Sequence, residues 1–167
     1  NNGEGLVFEQ DFVIDENFLI AITQRVRNTS TKDVSVAPYG LISRTSLPDI
    51  LGFYILHEGP LGVFNKTLKE VDYDDLFDDG AVQPAVRQET TGGWIGFTDK
   101  YWLVALIPDA DKPLRTSFNA GRRGVEPVYQ TDYLGDVIAV PAGGSIERTD
   151  RLFAGAKQVQ LLDQYAE

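Results

Sequence analysis

The sequence predicts a mainly-β protein built as a large antiparallel sandwich, and three observations carry that expectation. The dominant hydrophobic period is two: Phe18, Ile20 and Ile22 alternate with Leu19, Ala21 and Thr23. Turn chemistry then recurs at short intervals, at Asn28-Thr29-Ser30, Glu58-Gly59-Pro60, Asp78-Asp79-Gly80, Thr98-Asp99-Lys100 and Pro141-Ala142-Gly143-Gly144. Sixteen glycines and eight prolines suit such turns, which need a positive or a preset φ. This punctuation argues against alternating strand–helix units.

Taken in order, the first expected strand is Leu6–Ile14. The second runs from about Phe18 to the polar turn at Asn28, and the third spans Val34 to about Ser43. Pro38 lies inside the third and marks it as an edge or a bulge. Shorter candidates are Gly62–Phe64, Thr67–Val71, Val82–Gln88, Gly93–Thr98, Tyr101–Ile107, Thr116–Asn119, Val125–Tyr133, Asp136–Val140 and Ser145–Phe153. Pro48–Leu56 reads equally as a strand or a single helical turn, because short apolar runs do not separate the two. One helix is expected, about Ala156–Ala166. Val159, Leu161, Leu162, Tyr165 and Ala166 share its apolar side, with Gln158 intruding, and Lys157, Gln160, Asp163, Gln164 and Glu167 lie opposite, with Ala156 among them. It could pack on the sandwich or lead, as a docking helix, toward a membrane span. The expected organisation is one domain over 1–167, with the sandwich at about 5–154 and no internal repeat.

Composition narrows the function. Fifteen basic against 25 acidic side chains give a net charge of −10, which disfavours nucleic acid and anionic lipid head groups. The adjacent basic pair Arg122-Arg123 has glycine on each side and fits a turn as well as it fits a patch. No cysteine is present, so disulfides, thiolate metal sites and a Cys nucleophile are all removed. The longest apolar run, Tyr101–Ile107, is far short of the roughly 18–20 residues that cross a bilayer. A water-soluble segment without a signal peptide is expected.

Catalytic motifs are scarce. His57 is the only histidine, which excludes any site with two His ligands. Placed before Glu58-Gly59-Pro60, it reads as a structural or surface residue at a strand end. There is no Gly-x-Ser-x-Gly elbow and no phosphate loop. The acidic cluster Glu70, Asp72, Asp74, Asp75, Asp78 and Asp79 is the best cation candidate, yet Leu76 stands at the fifth position of a loop counted from Asp72. Tyr73, Leu76 and Phe77 point instead to a solvated acidic loop or helical turn anchored by its apolar residues. No catalytic, cofactor or metal residue is assigned.

The most distinctive stretch runs from Thr91-Gly92-Gly93-Trp94 through Thr98-Asp99-Lys100-Tyr101-Trp102 to Ile107-Pro108. It reads as a β-hairpin with a double-glycine start, a Thr-Asp-Lys turn and an apolar second strand buried on both faces. Gly92, Gly93, Trp94, Asp99, Lys100, Tyr101 and Pro108 are its signature, and their expected role is structural. This hairpin resembles the periplasmic domain of the YidC family of bacterial inner-membrane insertases. Phe18–Ser43 upstream is similar to that family's long strand, polar turn and following strand. Val140-Pro141-Ala142-Gly143-Gly144 and Leu152-Phe153-Ala154-Gly155-Ala156-Lys157 downstream resemble its closing strands and helix start, with Ala156 in place of a proline. The resemblance covers most of the chain, and divergence from the family is strongest from Pro48 to Arg87.

The resemblance implies a β-supersandwich of galactose-mutarotase-like architecture closed by a C-terminal helix, on the periplasmic face of the inner membrane. It implies no enzymatic activity, because a mutarotase-type site needs several histidines. It also implies an interaction and assembly role in a membrane protein insertase and chaperone. The expected partners, through the full-length protein, are Sec translocon components and nascent membrane proteins, with no dedicated small-molecule substrate. Lys157, Gln158, Leu161, Leu162 and Tyr165 of the terminal helix are the candidate interaction residues. The alternative is a ligand-binding sandwich for a peptide or a carbohydrate.

Overall fold

The computed structural model describes residues 3–45, 47, 56–109 and 111–157. Two antiparallel sheets form its body. The larger is built from β1 (Leu6–Ile14), β2 (Leu19–Asn28), β15 (Ser145–Ala156), β11 (Trp102–Ile107), β10 (Trp94–Thr98), β5 (Gly59–Phe64) and β6 (Thr67–Glu70), in that spatial order. The smaller runs β4 (Tyr39–Thr45), β13 (Glu126–Gly135), β12 (Pro113–Arg123) and β9 (Val86–Thr91). Two short pairs complete it: β14 (Ile138–Val140) with β3 (Val34–Val36), and β7 (Phe77–Asp78) with β8 (Ala81–Val82). The fold is mainly β, as the period-two pattern predicts.

The strand alternation fixes which side chains meet between the sheets. Ile95, Phe97 and Leu106 from the larger sheet face Leu114, Phe118, Tyr129 and Tyr133 from the smaller, and all are buried. The rings of Phe64 and Phe118 meet edge-on with centroids 5.9 Å apart, a geometry worth about 1 kcal/mol beyond area burial. A second cluster, Leu61, Leu103, Ala105 and Phe153 with Leu19 and Trp94 beside it, lies on the opposite face of the larger sheet.

Pro38 changes more than expected. The predicted strand Val34–Ser43 is two strands in two different sheets. The chain leaves β3 at Val36 and joins the edge of the smaller sheet as β4, while the Pro38 carbonyl accepts the Gly135 N–H at 2.9 Å. Proline has no N–H to donate to a ladder, so the break falls there. Val82–Gln88 divides likewise, into the end of β8 and the start of β9, around Pro84. Several strands are longer than predicted, because the cross-strand ladder carries them past their apolar stretch: β12 covers 11 residues and β13 covers 10.

The expected start of the C-terminal helix is corrected. Ala156 completes β15, paired with Trp102, so strand pairing overrides its helix propensity. Gln158, Leu161, Leu162 and Tyr165 lie outside the described residues, as does all of Pro48–Leu56 except Leu56.

The acidic segment folds as read. Tyr73–Leu76 is a single helical turn, α1, in which the Asp75 carboxylate accepts the Asp72 N–H at 3.2 Å. Tyr73 and Leu76 plug into the core while Asp72, Asp74 and Asp75 stay exposed. Burial pushes the Tyr73 phenol up to about 12, opposed by the nearby Arg44 guanidinium. Among the described residues its hydroxyl makes no hydrogen bond of normal geometry, although the Arg44 guanidinium lies close by. In the unfolded chain the phenol ionises near 10, so folded Tyr73 keeps its proton where unfolded Tyr73 loses it. Stability from this group is therefore complete below pH 10 and is lost as the pH rises from there to about 12. Tyr73→Phe is expected to leave neutral stability unchanged or raised, because it deletes a buried hydroxyl that lacks a normal hydrogen bond. It should also shrink the loss of unfolding free energy between neutral pH and pH 12 by about 2–3 kcal/mol. Denaturant melts at the two pH values check this, and an equal loss in both proteins would overturn it.

Candidate functional site

The signature hairpin is β10 and β11, with Ile95 opposite Leu106 and Thr98 opposite Leu103. Its start is sterically dictated. Gly92 and Gly93 have φ of 75° and 90°, and a Cβ on Gly93 would lie 1.9 Å from the Val63 carbonyl oxygen. Trp94, half-buried, then joins the apolar cluster around Leu61 and Leu103.

The turn is anchored on three sides. The Asp99 N–H donates to the Trp102 carbonyl at 2.9 Å. The Asp99 carboxylate pairs with Arg44 of β4, which ties the hairpin tip to the other sheet. Lys157 closes the third side: its N–H donates to the Tyr101 carbonyl at 2.8 Å, and its ammonium donates to Thr98 Oγ1 at 2.9 Å. The Lys100 ammonium lies 5.2 Å from the Tyr101 ring centroid. Tyr101 and Trp102 are exposed, so the expectation of a strand buried on both faces holds only from Leu103 onward. Pro108, at the far end of the strand, is buried.

The predicted signature residues do not converge. Gly92, Gly93, Trp94 and Pro108 mark one end of the hairpin, whereas Asp99, Lys100 and Tyr101 mark the other. Of the candidate interaction residues of the terminal helix, Lys157 alone can be placed, and it sits at the tip.

Three constellations escape motif reading. Asp150 is buried between the sheets and accepts from the Tyr133 hydroxyl, from Arg148 Nε at 2.7 Å and from the Asp109 N–H at 2.9 Å. Burial and this carboxylate hold the Tyr133 phenol far above its usual range. The one sequence signal is that Asp150 occupies the same strand face as Ile146 and Leu152. On the outer face of the smaller sheet, Asp132 gathers Ser117 at 2.8 Å, Asn119 at 3.0 Å and Gln130 at 2.7 Å. Arg122 caps the β7–β8 hairpin by donating to the Gly80 carbonyl and stacking 4.8 Å from the Phe77 ring. Arg122 of the basic pair thus serves a turn. An open depression of about 260 Å³ lies alongside, lined by Asn119, Arg122, Arg123, Val128 and Gln130.

His57 is also structural. Its Nε2 lies 3.1 Å from the Pro60 carbonyl and its Nδ1 3.6 Å from Asp72.

The comparison with known families decides the identity of this architecture. The model of the YidC periplasmic domain matches residues 1–167. The chain belongs to the YidC periplasmic domain family. It is 40% identical over 171 residues to a protein of Methylorubrum extorquens named "Membrane protein insertase YidC", covering 99% of this chain and 28% of that protein. A protein of the same name from Beijerinckia indica is 39% identical over 166 residues, covering 99% of this chain and 27% of its own length. Another, from Sinorhizobium fredii, is 38% identical over 164 residues, with 98% and 27% covered. The chain thus spans less than a third of these curated relatives. Membership assigns it to the periplasmic side, and among the described residues no helix is long and apolar enough to cross a membrane.

Proposed function

We propose that this YidC periplasmic domain is a non-catalytic interaction and assembly module of a membrane protein insertase, helping inner-membrane proteins to insert and fold. The observation that carries the reading is the family match over the whole chain, joined to relatives named as insertases. The disposition of the reactive side chains supports the non-catalytic part. Asp150, Asp99 and His57 are each engaged in holding two elements together, and none of them faces the depression beside Arg122.

In this reading the partners are Sec translocon components and nascent membrane proteins, met through the full-length protein. The contact surface is the segment from Lys157 through Gln158, Leu161, Leu162 and Tyr165. Leu161 and Leu162 are its adjacent apolar pair, and replacing both by aspartate in the full-length insertase tests it. Capture of Sec translocon components is expected to fall about tenfold or more, since two apolar anchors are lost, while the melting temperature of the domain stays within a few degrees. Undiminished capture by a folded variant would remove this surface from the proposal.

A further inference from the structure

One end of the larger sheet gathers exposed apolar and aromatic side chains from several elements. The β1–β2 turn, the end of β15 and the β10–β11 turn all lie there: Phe18 O accepts the Ala154 N–H at 3.3 Å, and Ala156 pairs with Trp102. Val13 is 67% exposed, Ile14 65%, Phe18 60%, Tyr101 64% and Trp102 59%. Leu56, three residues ahead of Gly59 at the same end of the sheet, is exposed as well. Farther along, Phe12 and Phe8 continue the apolar exposure on one face of β1, whereas the other face carries charge. There Arg25 pairs with Glu147 at 2.5 Å and lies near Glu9 and Asp11, and Arg27 pairs with Glu9 at 3.5 Å.

The rim is also held rigidly. Phe18 is fixed at φ 66° in a turn where Asp15 accepts the N–H groups of Asn17 and Leu19. Tyr101 and Trp102 are fixed by the Asp99–Arg44 pair and by Lys157. Exposing this much apolar and aromatic surface in a fixed array is costly unless something covers it. Its composition, Trp and Tyr with aliphatic neighbours and Lys100 and Lys157 at the margin, is that of side chains that sit at a membrane–water interface. Lys157 also lies beside this rim, bonded to the Tyr101 carbonyl and to Thr98. The chain belongs to a family whose relatives are membrane insertases.

We propose that the rim formed by Val13, Ile14, Phe18, Tyr101 and Trp102 seats in the interfacial layer of a phospholipid bilayer. Apolar insertion drives this contact rather than charge. The net charge of −10 opposes approach to anionic lipid, so a zwitterionic surface is favoured. The proposal rests on family membership and not on the protein contacts proposed above, so the two tests fail independently.

The chain contains two tryptophans, and Trp102 alone is exposed. The chain, tethered through a C-terminal histidine tag to phosphatidylcholine vesicles containing a few nickel-chelating lipids, is compared with its Trp102→Phe variant. In the wild type, tethering is expected to shift emission to shorter wavelength and to lower iodide quenching of Trp102 roughly twofold. The variant, reporting Trp94 only, should show neither change. Phe18→Asn with Tyr101→Ser keeps Trp102 as reporter, and asparagine tolerates the left-handed backbone at position 18. This pair should abolish the shift, and added phosphatidylglycerol should weaken it in the wild type. Unchanged wild-type emission on tethering would overturn the proposal. So would the same shift in vesicle-free solution accompanied by dimerisation, which would make a second copy of the chain the occupant.

Discussion

Gly93→Ala is expected to destabilise the domain by about 3–5 kcal/mol, a large share of the 5–15 kcal/mol that holds a typical domain together. Two separate costs combine. Gly93 has a φ of 90°, which an L side chain adopts only with strain, and its added Cβ would sit 1.9 Å from the Val63 carbonyl oxygen. That oxygen belongs to the β5 backbone at the Trp94–Val63 pairing, so no side-chain rotation can relieve the contact. β5 and β10 would have to separate, and Phe64, Ile95 and Phe97 in the core would move with them. Gly143→Ala isolates the conformational share: its φ is 74°, but nothing lies within 4 Å of the added Cβ. That variant should lose only about 1 kcal/mol. Urea denaturation of the two variants checks the contrast. Equal losses would show that strain, not the close approach to β5, explains the glycine.

That comparison also shows what was legible in the sequence and what was not. The double glycine before Trp94 could be read as a place of close backbone approach, because glycine at a strand start has few other uses. Strand identity was legible from alternation, and in β12 and β13 that alternation records which face is buried: Leu114, Thr116 and Phe118, and Tyr129, Thr131 and Tyr133, point inward. Partner choice was not. Nothing local says that the chain changes sheets at Pro38, or that Arg44 reaches Asp99, since both follow from pairings between segments far apart in sequence. The helix start expected at Ala156 is corrected on this point. Alanine favours a helix locally, but Trp102 on β11 offered a partner that extended the strand. The signature residues Asp99, Lys100 and Tyr101 were found by resemblance, yet their use, holding an exposed aromatic rim, depends on Lys157 and Phe18 arriving from elsewhere.

The second large effect is expected at Asp150, whose carboxylate is 3% exposed and joins three segments. It receives the Tyr133 hydroxyl from β13, Arg148 Nε from its own strand at 2.7 Å, and the Asp109 N–H just past β11 at 2.9 Å. Arg148 also lies 5.7 Å from the Tyr133 ring centroid, so removing the acid leaves a part-buried guanidinium against an aromatic ring without its ion-pair partner. Asp150→Ala should therefore cost about 3–5 kcal/mol, the range for breaking a buried ion pair by deleting one partner. Asp150→Asn keeps the volume and one acceptor oxygen and should cost less. Tyr133→Phe removes a single bond, leaves Asp150 with two donors, and should cost about 1–2 kcal/mol. A double-mutant cycle between positions 133 and 150 distinguishes a network from independent contacts. The combined variant should be less destabilised than the sum of the single variants, because the phenol has nothing left to donate to once the acid is gone. Strict additivity would mean that the hydroxyl and the carboxylate act separately. The two sheets would then be joined at this point by apolar packing alone.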